Sequence, residues 1–275
     1  MNTLELNESE LRELVLKPAD KREIWKLIVS DVNKALLLLQ PSIQWNPGFT
    51  PQAEQRLIRA NLNAAYLLAA EVALWNNRYK EASNYADLVL NYKTHPGPAS
   101  IWMNQYTTTA LPEESFTIWV FMYRYTGAFN INRLQEFTSS VDSDGRRYLL
   151  KPCVEICDRI FDEEQDVRRT SWMRVNRKDV IWKYIGRDAE GKSMREAYRS
   201  EAPWFSYHAS EAFLIKGIAE KRQGNPGAAL DMLNQIRQNR GLLKYEKHEI
   251  SLDMITLEDL LFREKARETA FEGKR

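Results

Sequence analysis

The stretch "AAEVALWNNRYKEASNYADLV" (69–89) decides how this chain folds, because the chain returns to the same pattern in "IKGIAEKRQGNPGAALDMLNQI" (215–236). Each segment reads as a helix, a tight turn and a second helix that opens on alanine. Aligned on Ala82 and Ala229, each carries a small residue twelve positions earlier, Ala70 and Gly217. Each also carries a turn residue five positions earlier, Asn77 and Gly224.

Small residues at that spacing let two helices of a roughly 34-residue unit approach closely, which is the tetratricopeptide logic. Two unrelated helical hairpins are the competing reading. The two units are not tandem, since the whole of 96–205 lies between them.

Outward from these hairpins the pattern stays helical. Asp20 and Glu23 make a capping-box-like start for "KREIWKLIVSDVNKALLLL", with Ile24, Leu27, Ile28, Ala35 and Leu38 as its apolar stripe. Thr50 before Pro51 predicts the start of a long helix reaching about Asn76. The middle differs. "SFTIWVFMYRYTG" is aromatic and β-branched and predicts a strand or part of a hairpin, while "SSVDSDGRRY" reads as a loop. "VEICDRIFDEEQDVRRTSW" predicts a helix that gives way to irregular chain. Five of the eight tryptophans and six of the twelve tyrosines lie in 96–205, an excess that marks this region for surface use.

Composition bounds the function. The chain has 275 residues, 44% apolar and 28% charged, with a formal net charge of +1. That near balance supplies no field to hold nucleic acid or an acidic membrane surface, and points to an uncharged ligand or a protein partner. Cys153 and Cys157 are spaced to share a helix face, where a disulfide is awkward. The scattered His95, His208 and His248 complete no zinc site, so both thiols read as core or half-buried. The first residues have neither the basic nor the apolar region of a signal peptide. Phosphate-loop, serine-elbow and metalloprotease signatures are absent from the sequence. Glu113/Glu114 and Glu163/Glu164 are adjacent pairs that point apart on a helix and read as solvated faces. His208 reads as an ordinary helix residue.

Near the end, Glu264, Glu268 and Glu272 line one helix face at i, i+4 and i+8, where like charges repel unless cations join them. Arg267 can serve Glu264 within the helix. Arg237 and Arg240 are expected to meet the stripe from the neighbouring helix, giving a structural ion-pair network.

Taken in order, these pieces resemble the SusD/RagB family, glycan-binding lipoproteins of nutrient uptake in the outer membranes of Bacteroidota. The resemblance runs from "IVSDVNKALLLLQPS" through "ANLNAAYLLAAEVALWNNRYKEASNYADLVL", the strand-like "EESFTIWVF" and the "DEEQDVRRTSW" turn. It is most specific in "SEAFLIKGIAEKRQGNPGAALDMLNQIRQNRGL" followed by "LEDLLFREKARETAFEGKR". One departure is "GIA" at Gly217–Ala219, where the family has an "AEA" core; here the acid is displaced to Glu220. Ser206 and Tyr207 stand where the family often has an arginine.

The resemblance implies a mainly α fold of tetratricopeptide-like hairpins with an irregular, partly β insertion: helical 1–95, an inserted ligand platform over 96–205, and helical 206–275, together one SusD-like domain. It implies a non-catalytic protein, without cofactor or metal, that captures an oligosaccharide or sometimes a peptide for a SusC-like TonB-dependent transporter at the cell surface. The membrane would be reached only through a lipid anchor. In the family "FEGKR" is followed by further chain, so the sequence is expected to be an internal piece of a longer protein or a truncated gene product, marginally stable by itself. The candidate ligand contacts, chosen for aromatic character beside loops, are Trp102, Tyr123 and Tyr125 with Arg124 as polar partner; Trp119 reads equally as core. The rival reading is an intracellular helical-repeat adaptor that binds protein. An enzyme acting on glycans would need two carboxyl groups converging about 5–10 Å apart.

Overall fold

The computed structural model describes residues 20–39, 57–107, 115–122, 138, 149–175, 178–184, 203–248 and 254–274. Its helices are α1 (Lys21–Leu38), α2 (Leu62–Trp75), α3 (Tyr79–Leu90), the single turn α4 (Asn104–Thr107), α5 (Val154–Ile160), α6 (Ala209–Arg222), α7 (Pro226–Gln238) and α8 (Met254–Glu268). The strands form two antiparallel pairs among the described residues: β1 (Thr117–Phe121) with β4 (Trp204–His208), and β2 (Met173–Val175) with β3 (Lys178–Val180). The fold is mainly α, built of tetratricopeptide-like hairpins with a partly β insertion.

The two hairpins stack directly on each other. Ala64, Leu67, Ala70 and Ala73 of α2, Ala82, Ala86 and Val89 of α3, and Ala212, Ile215 and Ala219 of α6 share one buried cluster with Ile118 of β1. Alanine supplies most of these contacts, so the backbones come close with little side chain between them. A second cluster continues the stack, joining Ile218 of α6 to Ala229, Leu230 and Leu233 of α7 and Leu257 and Leu261 of α8. Residues far apart in sequence therefore meet as consecutive layers of one repeat stack.

Each turn residue of the repeat pattern does the same conformational job. Asn77 has φ +59° and Gly224 φ +87°, so both hairpins close through a left-handed residue after the first helix. Gly217 serves contact instead. A Cβ there would lie 2.8 Å from Leu261 Cδ2 and 3.3 Å from Met232 Cβ. Where the resembling family carries alanine, this chain has given that space to α8.

The displaced acid also has a place. Glu220 accepts hydrogen bonds from the Ser83 hydroxyl at 2.5 Å and the Asn225 amide at 2.8 Å, tying α3 to the turn before α7. Further polar ties cross the stack: Lys216 with Asp87, Tyr207 to Glu71 at 3.0 Å, and Arg222 to Glu258 at 2.9 Å.

Two local expectations need correction. The helix expected to run to about Asn76 from Thr50 is broken at 59–61 within the described residues. The cause is Asn61, whose Oδ1 accepts from Ala64 N at 3.0 Å as the N-cap of α2. Its Nδ2 donates 2.7 Å to Ile118 O, capping the outer edge of β1. The strand expected in "SFTIWVFMYRYTG" is β1, whose partner among the described residues is the distant β4. Cys153 is the exposed N-cap residue of α5 and Cys157 is buried, so the reading of both thiols as core or half-buried holds for Cys157 alone.

α1 packs through Trp25, Ile28, Val29, Val32 and Leu36 against Ala69 and Val72 of α2. Asp20 is its N-cap, the carboxylate accepting from Arg22 N at 3.0 Å, while Ile24, Leu27 and Leu38 of the expected apolar stripe are exposed.

Gly217→Val should lower stability by about 1–3 kcal/mol, since it forces Leu261 and the Met232 backbone-proximal carbon apart in a filled layer. A thermal melt checks this, and an unchanged midpoint would show that α6 and α8 are not in the close contact described.

Candidate functional site

The polar centre of the molecule lies where the last turns of α8 meet the inserted region. Its core is five charged side chains from three separate stretches: Asp166 and Arg168, Arg240, and Glu264 and Glu268. Arg168, wholly buried, donates from Nε and NH2 to the two carboxylate oxygens of Asp166 at 2.8 Å each. It also donates from NH2 to Glu264 at 2.6 Å and from NH1 to Glu268 at 3.0 Å. Arg240 grips Glu268 with two further bonds, at 3.0 and 2.5 Å, and donates to the carbonyls of Pro96 and Gly97 at the entrance of the insertion.

The flanks of this core are also paired. Arg237 makes a fork to both oxygens of Glu163 at 2.8 and 2.7 Å, while Arg267 reaches Asp162 at 2.6 Å, Glu163 at 2.8 Å and Glu264 at 3.3 Å. Glu272 takes the Lys183 ammonium at 2.6 Å and the Tyr106 hydroxyl at 3.1 Å, with His208 Nε2 at 3.3 Å. Lys274 bonds Glu211, whose carboxylate also accepts from His208 N at 2.9 Å.

Burial and pairing oppose each other here, and at Glu163, Glu268 and Glu272 pairing prevails. Burial would push the Glu268 carboxyl upward, but Arg240 and Arg168 outweigh it and hold the group down to about 2. Glu272 is likewise held well below the usual carboxylate range, by Lys183 and His208 against burial. Hydrogen bonds from Arg237 hold Glu163 to about 2 despite partial burial. Burial pushes the Lys183 ammonium down, with Glu272 acting against it, and raises the Tyr106 hydroxyl well above its ordinary value.

Such an arrangement does structural chemistry. Its inner carboxylates, those of Asp166, Glu264, Glu268 and Glu272, are buried and each is paired with a cation. Among the described residues no group of three or more His, Cys, Asp and Glu side chains is placed to hold a metal ion. The network instead binds the insertion to the stack through the segment 269–274. Tyr184 donates to Phe271 O at 3.0 Å and Lys183 to Ala270 O at 3.2 Å, while the Phe271 ring packs with Ile181, Tyr184 and Trp204.

The sequence-derived residues fall into this picture unevenly. Arg240 and Glu268 meet directly. Arg237 turns to Glu163 and comes only within 4.0 Å of Glu264, and Glu272 is served by lysines and His208 rather than by either arginine. Glu163 is thus no solvated face. His208 is no ordinary helix residue: it ends β4 and caps α6. Arg168 and Lys183 were missed. The "DEEQDVRRTSW" turn was a signal for the first, since Asp166 caps its own turn by accepting from Arg168 N at 2.9 Å.

Trp102 leaves the set of ligand contacts. Its ring is 2% exposed, edge-on to Tyr106 at 5.3 Å, with the Arg240 guanidinium 4.7 Å and the Lys183 ammonium 5.2 Å from the ring centre. The segment around it folds as a 3-10 turn and α4, which bury the indole in the insertion's core with Leu57, Val120 and Phe205. Trp119 is half-buried on β1 beside Phe121, at 5.1 Å between ring centres. Tyr123, Arg124 and Tyr125 lie outside the described residues.

A repeat stack of this order, locked by its last helix onto an aromatic insertion, is the SusD-like fold. Solved structures share it over nearly all of this chain. A SusD-like protein from Bacteroides fragilis aligns with a TM-score of 0.68 at 20% identity, covering 92% of this chain and 59% of its own. A SusD-like carbohydrate-binding protein from Bacteroides vulgatus gives 0.66 at 16%, covering 91% and 49%. A SusD superfamily protein from Parabacteroides distasonis gives 0.68 at 16%, covering 96% and 59%. The chain therefore spans between about half and three-fifths of those proteins' lengths. No protein-family model and no sequence among the curated proteins matches it.

The two carboxyl groups at about 2 lie below the ordinary carboxyl value of 4.5, so their contribution to stability is present above about pH 4.5. It is lost as pH falls towards 2. The denaturant midpoint should fall across that window. Glu268→Gln should cost about 3–5 kcal/mol at pH 7, because it leaves Arg168 and Arg240 undercompensated in the interior, and should flatten the acid limb. Glu164→Gln, on an exposed neighbour, should leave both readouts unchanged. Equal behaviour of the two variants would contradict the network.

Proposed function

We propose that this chain is the helical frame and part of the ligand platform of a SusD/RagB-family protein, a non-catalytic binder that captures an uncharged oligosaccharide at the outer surface of the cell. The observation that carries the reading is the SusD-like fold, shared over nine-tenths of the chain with a protein described as carbohydrate-binding. The near-zero net charge agrees with a neutral ligand. Sugar rings offer apolar C–H faces that stack on aromatic side chains, and hydroxyls that need polar partners once desolvated.

In this reading helical 1–95 and 206–275 form the scaffold and 96–205 the platform, with Tyr123, Arg124 and Tyr125 retained as ligand contacts. A SusC-like TonB-dependent transporter is the proposed partner, receiving what the platform holds. Attachment to the outer membrane belongs to the same proposal and would be made through a lipid anchor. Among the described residues no helix is long and apolar enough to cross a membrane.

Affinity electrophoresis of the chain through gels containing neutral polysaccharides, followed by calorimetry with the matching oligosaccharides, tests the proposal. The chain should be retarded by at least one glycan and release no reducing ends from it. Tyr123→Ala together with Tyr125→Ala should weaken binding about tenfold or more, at roughly one stacking contact per ring. Absence of retardation across the panel, or steady release of reducing sugar, would overturn it.

A further inference from the structure

Among the seven described tryptophans, Trp75 is the exposed one, at 66% of its surface. It ends α2, at the tip of the first hairpin and away from the insertion's core. The indole has no ring partner and its N–H no hydrogen-bond partner among the described residues. An apolar face and a donor at its edge both meet solvent. Trp75 belongs to neither of the buried clusters that α2 forms.

The backbone beneath it is fixed. Asn76 N and Asn77 N donate to Val72 O and Leu74 O at 3.1 Å each, and Arg78 N donates to Ala73 O at 2.9 Å, closing α2 through the left-handed Asn77. The amides of the turn are oriented as well. Asn76 Nδ2 donates to Val72 O at 2.7 Å, leaving its side-chain oxygen without a partner among the described residues. Asn77 Oδ1 accepts from the Tyr79 hydroxyl at 2.7 Å, leaving its Nδ2 in the same condition. Arg78 and Glu81 pair at 2.9 Å at the edge, each more than two-fifths exposed. Tyr79 is held in turn under the Arg222 guanidinium, 5.4 Å from its ring centre, and Arg222 is anchored on Glu258.

A flat ring with its indole N–H, an amide acceptor and an amide donor therefore occupy three consecutive positions of a turn closed by backbone hydrogen bonds. That is the recognition chemistry of a neutral sugar: the ring takes a C–H face, and planar polar groups at its rim take hydroxyls. A protein hot spot would set the indole among apolar neighbours that exclude water. Here the residues that follow it are Asn76, Asn77, Arg78, Tyr79 and Lys80.

We propose that Trp75, with Asn76 and Asn77, forms a second carbohydrate contact at the hairpin tip, outside the insertion, taking one pyranose unit of a neutral oligosaccharide. It rests on the carbohydrate-binding reading and extends the ligand surface onto the repeat frame. Pre-ordering of the turn lowers the entropic cost of binding, so a single stacked ring suffices for a measurable effect.

The test uses the whole chain and the oligosaccharides that bind it in calorimetry, drawn from malto-, cello- and xylo-hexaose. Trp75→Ala should weaken binding about tenfold, Trp75→Phe should restore most of it because a flat ring remains, and Asn77→Gly should weaken it severalfold while keeping the left-handed turn. Far-UV circular dichroism and melting midpoints should stay unchanged, since the indole is exposed. Wild-type affinity retained in folded Trp75→Ala would overturn the tip contact and leave the broader reading standing. Failure of the unsubstituted chain to bind any glycan in the electrophoretic panel would overturn both. A change in sedimentation of Trp75→Ala without any change in glycan affinity would make the ring a protein contact and overturn the proposal.

Discussion

Enclosing Arg168 is the constraint on which the rest of the architecture turns. A guanidinium with no exposed surface is tolerable only when its donors are spoken for, and here Asp166, Glu264 and Glu268 are all required. Glu268 in turn belongs also to Arg240, whose remaining donors bind carbonyls at the start of the insertion. None of these groups is tolerable in the interior before the others arrive. The inserted turn at 166–168, the end of α7 and the end of α8 must therefore come together as one event. Such a network is weak evidence for net stability, because burying the charges costs about as much as their pairing returns. Its effect is on which arrangement is allowed: a misplaced α8 would strand two arginines.

The same requirement explains how repeats separated by more than a hundred residues can stack as neighbours. Closing so long an intervening segment adds little entropy beyond that of a shorter one, since the cost grows only with the logarithm of length. What has to be strong is the specificity of the surface that meets on closure. Alanine against alanine between α2, α3 and α6 gives close approach with little geometric preference. Polar ties from Ser83 to Glu220 and from Tyr207 to Glu71 add a register that methyl groups do not supply. β1 serves this closure too, placing Ile118 in the stack's alanine cluster while Asn61 caps the same residue's carbonyl.

The fold was legible where a local pattern carries its own physics. Twelve-residue spacing of small residues and a left-handed turn residue are properties of a helical hairpin, so Ala70, Asn77 and Ala82 could be matched to Gly217, Gly224 and Ala229 without coordinates. The glutamate stripe was legible as a need for cations, but not as to which would answer it. Arg237 and Arg240 sit three apart on the same sequence segment, yet one reaches Glu163 and the other Glu268. That choice depends on the path of 160–168, which no spacing reveals. Trp102 failed for a related reason. Aromatic character beside proline and glycine reads as a loop contact, and only the packing of the indole against Tyr106 of α4, Lys183 and Arg240 turns it inward. The start of α2 at Asn61 was missed because Thr50 before Pro51 supplies a cap and first-turn pair upstream.

Self-contained charge has a consequence for what the surface can do. When the strongest electrostatic groups are spent on one another inside, their fields largely cancel within a few ångströms and little reaches a ligand outside. The balance of 39 basic and 38 acidic residues leaves no large opposite-sign reservoir to replace them. Recognition on such a frame must be short-ranged, resting on ring faces and on amide or hydroxyl groups already oriented by the fold. Rigidity then matters more than charge, because contacts of this kind are individually small and survive only where little freedom is lost on binding. A stack whose helices are locked by an interior ion network and whose turns are closed by hydrogen-bonded asparagines provides that condition without further cost in the bound state.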